Sequence, residues 1–124
     1  MKIGQLAKLS NLSIHTLRYY EKIGLIEKVY RNQSKQREYD DDILIWLEFI
    51  NRLRETNMPL KGQIEYAKLR AKGNTTIGQR CEILEDHLQK LIIAQQKLNS
   101  NIKAMEAKIQ IYHQLEIGNE TKHT

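Results

Sequence analysis

The chain begins with apolar residues at the spacing of a single helix face, at Ile3, Leu6 and Ala7. This spacing predicts a helix of about two turns whose inner side packs on a core. The pattern breaks at Ser10 and Asn11, and asparagine can adopt the left-handed conformation in which helices end. We therefore expect a short first helix that is followed by a tight turn.

A second helix is predicted from Ser13, whose hydroxyl group is placed to accept from the N–H groups of the next turn. Ile14, Leu17 and Tyr20 share its inner face, and Gly24 ends it. We interpret Tyr20 as a core tyrosine with its hydroxyl group at the surface. Two short helices joined by a tight turn form the arrangement in which the second helix enters the major groove of DNA.

The segment of residues 29–42 has no helical apolar period and is predicted to form two short strands around a turn at residues 32–35. Its basic residues are Arg31, Lys35 and Arg37. The segment would form a basic wing beside the helix pair.

Three adjacent carboxylates, Asp40 to Asp42, follow the wing. Such a run at a helix start is more often a cap than a metal site, and no His or Cys lies nearby in the sequence to complete a ligand set. We expect Asp40 or Asp41 to cap a helix of about residues 41–56, with Asp42 at the positive end of its dipole. The predicted inner face holds Ile43, Leu44, Leu47, Ile50 and Leu53, with Trp46 in the same layer.

Two further helices are predicted after this one. The only proline, Pro59, is favoured in a first helical turn, so a helix should run from there to about Lys72 and end at Gly73-Asn74. From residue 77 onward, apolar residues recur at alternating spacings of three and four, over five heptads.

The long helix needs a partner for its apolar seam. A helix of roughly 40 residues is about 60 Å long, which is more than the rest of this chain could cover. We therefore expect the seam to be buried against a second copy of the chain. The predicted dimer interface consists of Ile77, Cys81, Leu84, Leu88, Leu91, Leu98, Ile102, Met105, Ile109 and Tyr112.

The composition suits one small domain that works in the cytoplasm. Hydrophobic residues make up 40% and charged residues 28% of the 124 residues. There is no apolar run long enough to span a bilayer, and the N-terminus lacks the features of a signal peptide. The single cysteine, Cys81, cannot form an intramolecular disulfide, which fits a reducing compartment.

The excess positive charge lies in the N-terminal part of the chain. The formal net charge is +5, and residues 1–75 carry 14 Lys and Arg against 9 Asp and Glu, whereas residues 76–124 carry 6 of each sign. A localised excess of positive charge suits a polyanion partner. We divide the chain into a DNA-binding domain with two connecting helices (1–75), a coiled-coil helix (76–117) and a flexible tail (118–124).

Four motifs carry a specific resemblance to a known family over residues 1 to 117. They are TLRYYEKIGLI, R-x-Y in the wing, MPL and AKIQIYHQLE. The chain resembles the MerR family of bacterial transcription regulators, in particular small members that lack a separate effector domain and respond to aldehydes or other electrophiles. The resemblance implies a mainly α fold, with a winged helix-turn-helix domain followed by a long antiparallel coiled-coil dimerisation helix. It also implies a homodimer that distorts an overlong promoter spacer in response to an effector, so that RNA polymerase engages both promoter elements.

The same resemblance implies a set of DNA-binding residues. Thr16, Arg18 and Tyr19 match recognition-helix contacts, and Arg37 matches the wing arginine. The remaining matches are Arg31 as a phosphate contact, Tyr39 as the wing aromatic, for which packing and DNA binding both stay open, and Lys61 at a helix start near the DNA backbone. Many members have Gly-Tyr where this chain has Lys35-Gln36, and Lys35 could replace the missing contact by charge.

No sensing residue follows from the resemblance. Arg52 stands where electrophile-responsive members often have a cysteine, and no second thiol follows Cys81 to form a metal site. We expect Cys81 to be structural, with a small-molecule effector bound between the long helix of one protomer and the DNA-binding domain of the other. No metal, cofactor or membrane is expected as a partner.

Two other classes of protein are alternatives to the regulator. An enzyme is disfavoured because the sequence has no nucleophile–base arrangement, glycine-rich phosphate loop or metal-ligand cluster. An architectural winged-helix protein that bends DNA without sensing a ligand stays open as the alternative. The long helix favours a regulator, since it fixes the distance between two DNA-reading heads.

Overall fold

The computed structural model of the chain describes residues 1–27, 30–31 and 37–123, with the side chains of residues 1–27 and 38–119. The helices are α1 (Ile3–Ser10), α2 (Ile14–Ile23), α3 (Ile43–Glu55), α4 (Leu60–Ala71) and α5 (Ile77–His123). The strands are β1 (Tyr30–Arg31) and β2 (Arg37–Glu38), and a short 3-10 helix spans Asn74–Thr76. The chain forms two compact units, Met1–Glu85 and Asp86–Thr124. Within the described residues, no helix is both long enough and apolar enough to cross a membrane.

The ends of α1 and α2 lie where the sequence predicts them. Asn11 ends α1 in the left-handed conformation, with φ of 59°. Ser13 Oγ accepts from the N–H of Thr16 at 3.0 Å, which is the predicted N-cap of α2. Gly24 ends α2 with φ of 92°, a conformation that residues with a Cβ rarely adopt. The predicted ends at Asn11, Ser13 and Gly24 are therefore confirmed, whereas Ile14, which was expected on the inner face of α2, is 38% exposed.

The two strands pair in an antiparallel register, with Tyr30 opposite Glu38 and Arg31 opposite Arg37. Lys2 adds an isolated bridge to Glu38, which ties the start of the chain to β2. The predicted turn at residues 32–35 lies outside the described residues. The wing contacts proposed for Arg31, Lys35 and Arg37 therefore stay predictions.

The start of α3 differs from the prediction. Asp42 precedes the helix and makes no side-chain cap, because its backbone is already helical (φ −62°, ψ −17°) and not in the extended conformation that a capping side chain needs. The first turn is instead closed by main-chain groups, since the carbonyls of Asp40 and Asp41 accept from the N–H groups of Ile43 and Leu44. The expectation that Asp40 or Asp41 caps the helix with its carboxylate is wrong.

The core of the first unit lies between α1, α2, α3 and α4. Leu6, Leu17, Leu25 and Ile50 are its largest fully buried side chains, and each such burial stabilises the fold by about 1.5–3 kcal/mol. The predicted inner face of α3 is largely confirmed, because its buried residues are Trp46, Leu47, Ile50 and Leu53, with Ile43 and Leu44 partly buried.

The junction between α4 and α5 is held by hydrogen bonds. Gly73 leaves α4 with φ of 95°, and the hydroxyl group of Thr76 donates to the carbonyl of Leu69 at 2.6 Å. Arg80 then donates from Nε to the Thr76 hydroxyl oxygen at 3.1 Å. In the first turns of α5, Ile83 and Leu84 pack on the core, which explains why the first unit extends to Glu85. The domain boundary at residue 75 stays a prediction.

The helix α5 contains 47 residues, a length of about 70 Å. It continues past Gly118 to His123, and the flexibility expected from residue 118 onward stays a prediction. Six seam residues of the second unit are exposed in the single chain, with between 44% and 66% of their surface accessible. They are Leu88, Leu98, Ile102, Met105, Ile109 and Tyr112. Among the described residues of the second unit, nothing apolar covers this part of the seam.

Candidate nucleic-acid interface

The outer face of α2 carries the predicted recognition residues. Arg18 is exposed and 47% of the surface of Tyr19 is accessible, whereas Leu17 and Tyr20 are buried on the opposite face. Thr16 is half-buried, and its Oγ1 accepts from the Ser13 hydroxyl group at 2.9 Å. The helix therefore presents one basic and one aromatic side chain to solvent from a backbone held by the core.

The end of α2 is anchored by α3. Tyr20, interpreted from sequence as a core tyrosine, is 5% exposed, and its hydroxyl group accepts from Nη1 of Arg54. Trp46 Nε1 donates to the carbonyl of Leu25 at 2.7 Å, just beyond the helix end. Sequence reasoning did not identify Arg54. Arg54 and Tyr20 lie 34 positions apart, and periodicity does not show which side chains so distant in the sequence contact each other.

Tyr39 does not present its ring to solvent. It is 5% exposed and belongs to the core cluster. Its N–H donates to the carbonyl of Met1 at 2.7 Å, and its hydroxyl group donates to Glu21 Oε2 at 3.5 Å. The residue after β2 faces inward, which favours packing over DNA contact. The DNA contact through this side chain stays a prediction.

Lys61 is exposed in the first turn of α4, two residues after Pro59. A helix N-terminus has N–H groups without helical acceptors and a partial positive charge, so it favours anions. A lysine beside these groups adds a full positive charge. The position is therefore compatible with the predicted approach to a phosphate backbone.

A cavity of about 570 Å³ lies in the first unit, between the α3 start, the α4 end and the α5 start. Trp46 and Arg70 line it, with the guanidinium group 4.4 Å from the indole centroid. Asp40 and Asp42 are also among its lining residues. Its volume lies within the range of small-molecule sites, which is about 300–1,000 Å³.

The thiol of Cys81 is exposed in the single chain and contacts Glu85 Oε1 at 3.2 Å. The Glu85 carboxylate raises the pKa of this thiol, first by accepting its hydrogen bond and then by its negative charge, with smaller contributions from desolvation and Glu82. Among the described residues, no group of three or more His, Cys, Asp or Glu side chains is arranged to hold a metal ion. A raised pKa disfavours the reactive thiolate.

Comparison with known proteins identifies relatives along most of the chain. Residues 2–39 match the model of the MerR family regulatory protein. The HTH-type transcriptional regulator AdhR of Bacillus subtilis is 42% identical over 74% of this chain and 66% of its own length. YyaN of the same organism, an uncharacterised HTH-type transcriptional regulator, is 31% identical over 91% of both chains.

A solved structure extends the similarity to the fold. HiNmlR, a MerR family regulator lacking the sensor domain, was solved bound to promoter DNA. It superposes with a TM-score of 0.75 at 27% identity, over 91% of this chain and 90% of its own. The similarity therefore includes the long C-terminal helix as well as the segment that the family model matches. The chain belongs to the MerR family and is a transcriptional regulator that binds DNA.

Proposed function

We propose that the outer face of α2 reads promoter DNA through Arg18 and Tyr19, with Thr16 beside them. The observation that carries this proposal is the exposure of Arg18 and Tyr19 on a helix whose opposite face is buried and whose two ends are capped. A rigid helix with a basic outer face is what readout in the major groove requires. Lys61 and the wing residues Arg31, Lys35 and Arg37 supply phosphate contacts, which set the register on the duplex.

The active species is a homodimer whose α5 helices pair antiparallel. The exposed apolar seam of the second unit supports this arrangement, since a single chain leaves Leu98 and Met105 with 59% and 66% of their surface accessible. A dimer presents two recognition helices to two half-sites at a separation fixed by the long helices. The similar protein HiNmlR, which is described as lacking the sensor domain, was solved bound to promoter DNA, and this fits the same mode of binding.

The dimer controls transcription in the cytoplasm by distorting the spacer between two promoter elements, so that RNA polymerase engages both. Its role is regulatory and not catalytic, in line with relatives that are named as transcriptional regulators. A small-molecule effector drives the distortion. The cavity beside Trp46 and Arg70 is the candidate site on this chain, because it lies at the α4–α5 junction.

The test uses transcription from the promoter upstream of the protein's own gene. The dimer should protect the spacer in a footprint and stimulate RNA polymerase when effector is present. On a template whose spacer is shortened to ordinary length, that stimulation should disappear. Protection without any change in transcription on either template would favour the architectural alternative over the regulator.

Cys81 is proposed to be structural, and its replacement should leave the effector response intact. The Glu85 carboxylate raises the pKa of the thiol, so the thiolate is scarce near neutral pH. Cys81→Ser and Cys81→Ala are compared with wild type in promoter activity under aldehyde, quinone, disulfide or metal stress. If both substitutions abolish a response that wild type shows, while dimerisation and operator affinity stay normal, Cys81 is the sensor.

The chemical reason can be checked separately by alkylation of the thiol. Glu85→Gln removes the negative charge next to Sγ, so the pKa of Cys81 should fall and iodoacetamide should react faster at a fixed pH. Glu106→Gln, a carboxylate far along the same helix, serves as the matched control and should leave the rate unchanged. Equal alkylation rates for Glu85→Gln and wild type would remove this argument against a sensor role.

A further inference from the structure

Two side chains of α3 hold the C-terminal end of α2. Arg54 Nη1 donates to the hydroxyl oxygen of Tyr20, and its guanidinium carbon lies 5.8 Å from the centroid of the same ring. Trp46, about 12 Å earlier along the helix, donates from Nε1 to the carbonyl of Leu25 at 2.7 Å. The last turn of α2 and the turn after it are therefore both held by hydrogen bonds from α3.

Tyr20 connects this anchor to the DNA-reading face. Its carbonyl accepts from the N–H groups of Leu25 at 2.9 Å and Ile26 at 3.2 Å, which closes the helix. Its ring centroid lies 6.5 Å from that of Tyr19, one of the proposed DNA contacts. Because Tyr20 is only 5% exposed, it acts inside the fold, where its ring packs beside Tyr19 and its carbonyl closes the helix end.

We propose that Arg54 is a positioning residue for DNA recognition. By holding the hydroxyl group of Tyr20, it fixes the orientation of the α2 face that carries Arg18 and Tyr19. A charged donor is suited to this task, because a hydrogen bond from an ionised group is stronger than one between neutral groups. The inference rests on the proposed function, in which that face reads promoter DNA.

Arg52 provides a matched control on the same helix. Its Nη2 lies 3.8 Å from Glu48 Oε1 one turn earlier, and both side chains are more than 70% exposed. Residues two positions apart on a helix do not face the same neighbour. Arg52→Met therefore removes the same charge and the same side-chain volume as Arg54→Met, without a contact to Tyr20.

The experiment measures binding to an operator duplex and to an unrelated duplex across a salt series. Loss of a charged hydrogen bond by Arg54→Met should lower operator affinity about tenfold, while binding to the unrelated duplex and the salt slope stay as in wild type. Tyr20→Phe should give a similar loss, and the double variant should lose little more, because both substitutions remove one interaction. Arg54→Lys should recover most of the affinity, and Arg52→Met should bind as wild type.

Three results would overturn the proposal. Wild-type operator affinity in Arg54→Met would do so directly. If Arg54→Met flattened the slope of log K against log salt by about 1.8 while Tyr20→Phe bound as wild type, Arg54 would be a phosphate contact in both protomers. If Arg54→Met lost the same affinity for both duplexes and also unfolded at a lower midpoint, Arg54 would have a role in stability only. Arg18→Ala is measured in parallel. Wild-type operator affinity of Arg18→Ala would contradict the proposed function itself. Lowered affinity of Arg18→Ala together with wild-type affinity of Arg54→Met would contradict only the positioning role.

Discussion

Leu91→Ala combined with Leu98→Ala is expected to convert the protein to monomers or unfolded chain at micromolar concentration. Both leucines belong to the seam of α5, and 59% of the surface of Leu98 is accessible in the single chain. Truncation of a buried leucine to alanine costs about 2–5 kcal/mol. Two-fold symmetry applies each loss twice in a dimer. Sedimentation velocity, with circular dichroism on the same samples, measures the outcome.

The control is a double substitution of exposed apolar residues that lie off the seam. Ile93 and Ile111 have 62% and 50% of their surface accessible on the same helix, and neither occupies a seam position. Ile93→Ala with Ile111→Ala removes a comparable amount of apolar surface, and this variant should remain dimeric. A folded Leu91→Ala, Leu98→Ala variant that still sediments as a dimer would contradict the proposed interface.

The antiparallel arrangement gives the seam a definite register. In an antiparallel pair centred near residue 96, about midway between Cys81 and Tyr112, Cys81 would lie in the region of the partner's Tyr112. Gln95 interrupts the apolar seam near the dyad, and a single polar seam residue can specify register at a cost in stability. An oxidised dimer linked through Cys81 is therefore not expected, because the two thiols would lie at opposite ends of the pair.

The helix ends could be predicted from the sequence because their causes are local. Asn11, Ser13 and Gly24 each act within a few residues of the end that they define, so the residue type and its position contain most of the information. The heptad spacing of α5 is equally readable, since it repeats along one element. The acidic run before α3 shows the limit of this reasoning, because Asp42 has the right residue type but a backbone conformation that prevents the cap.

The parts that could not be predicted depend on contacts between distant segments. The Arg54–Tyr20 hydrogen bond joins residues 34 positions apart, and the Trp46–Leu25 bond joins residues 21 apart. The burial of Tyr39 likewise depends on the approach of Met1 and Glu21. Periodicity shows that such residues lie on an inner or outer face, but the packing of α2 on α3 decides which atoms meet.

Arg18→Ala is expected to weaken operator binding by about 1–3 kcal/mol per protomer if Arg18 contacts a base edge. Arg18 is exposed on the outer face of α2, and no described carboxylate forms an ion pair with it, so its positive charge is available to DNA. If the side chain neutralises a phosphate, each lost contact reduces the slope of log K against log salt by about 0.9. The loss in both protomers should then flatten the slope by about 1.8.

The measurement is a gel-shift titration across a salt series, with the oligomeric state checked in parallel. Arg37→Ala should behave in the same way if the wing arginine reaches DNA, as the family resemblance implies. Lys97→Ala removes one exposed positive charge from α5 and serves as the control, which should leave the affinity and the slope as in wild type.

Unchanged operator binding by Arg18→Ala at every salt concentration would exclude this residue from the interface. Weakened binding with an unchanged slope would instead indicate contact with a base edge and not with a phosphate, because only neutralised phosphates release counterions.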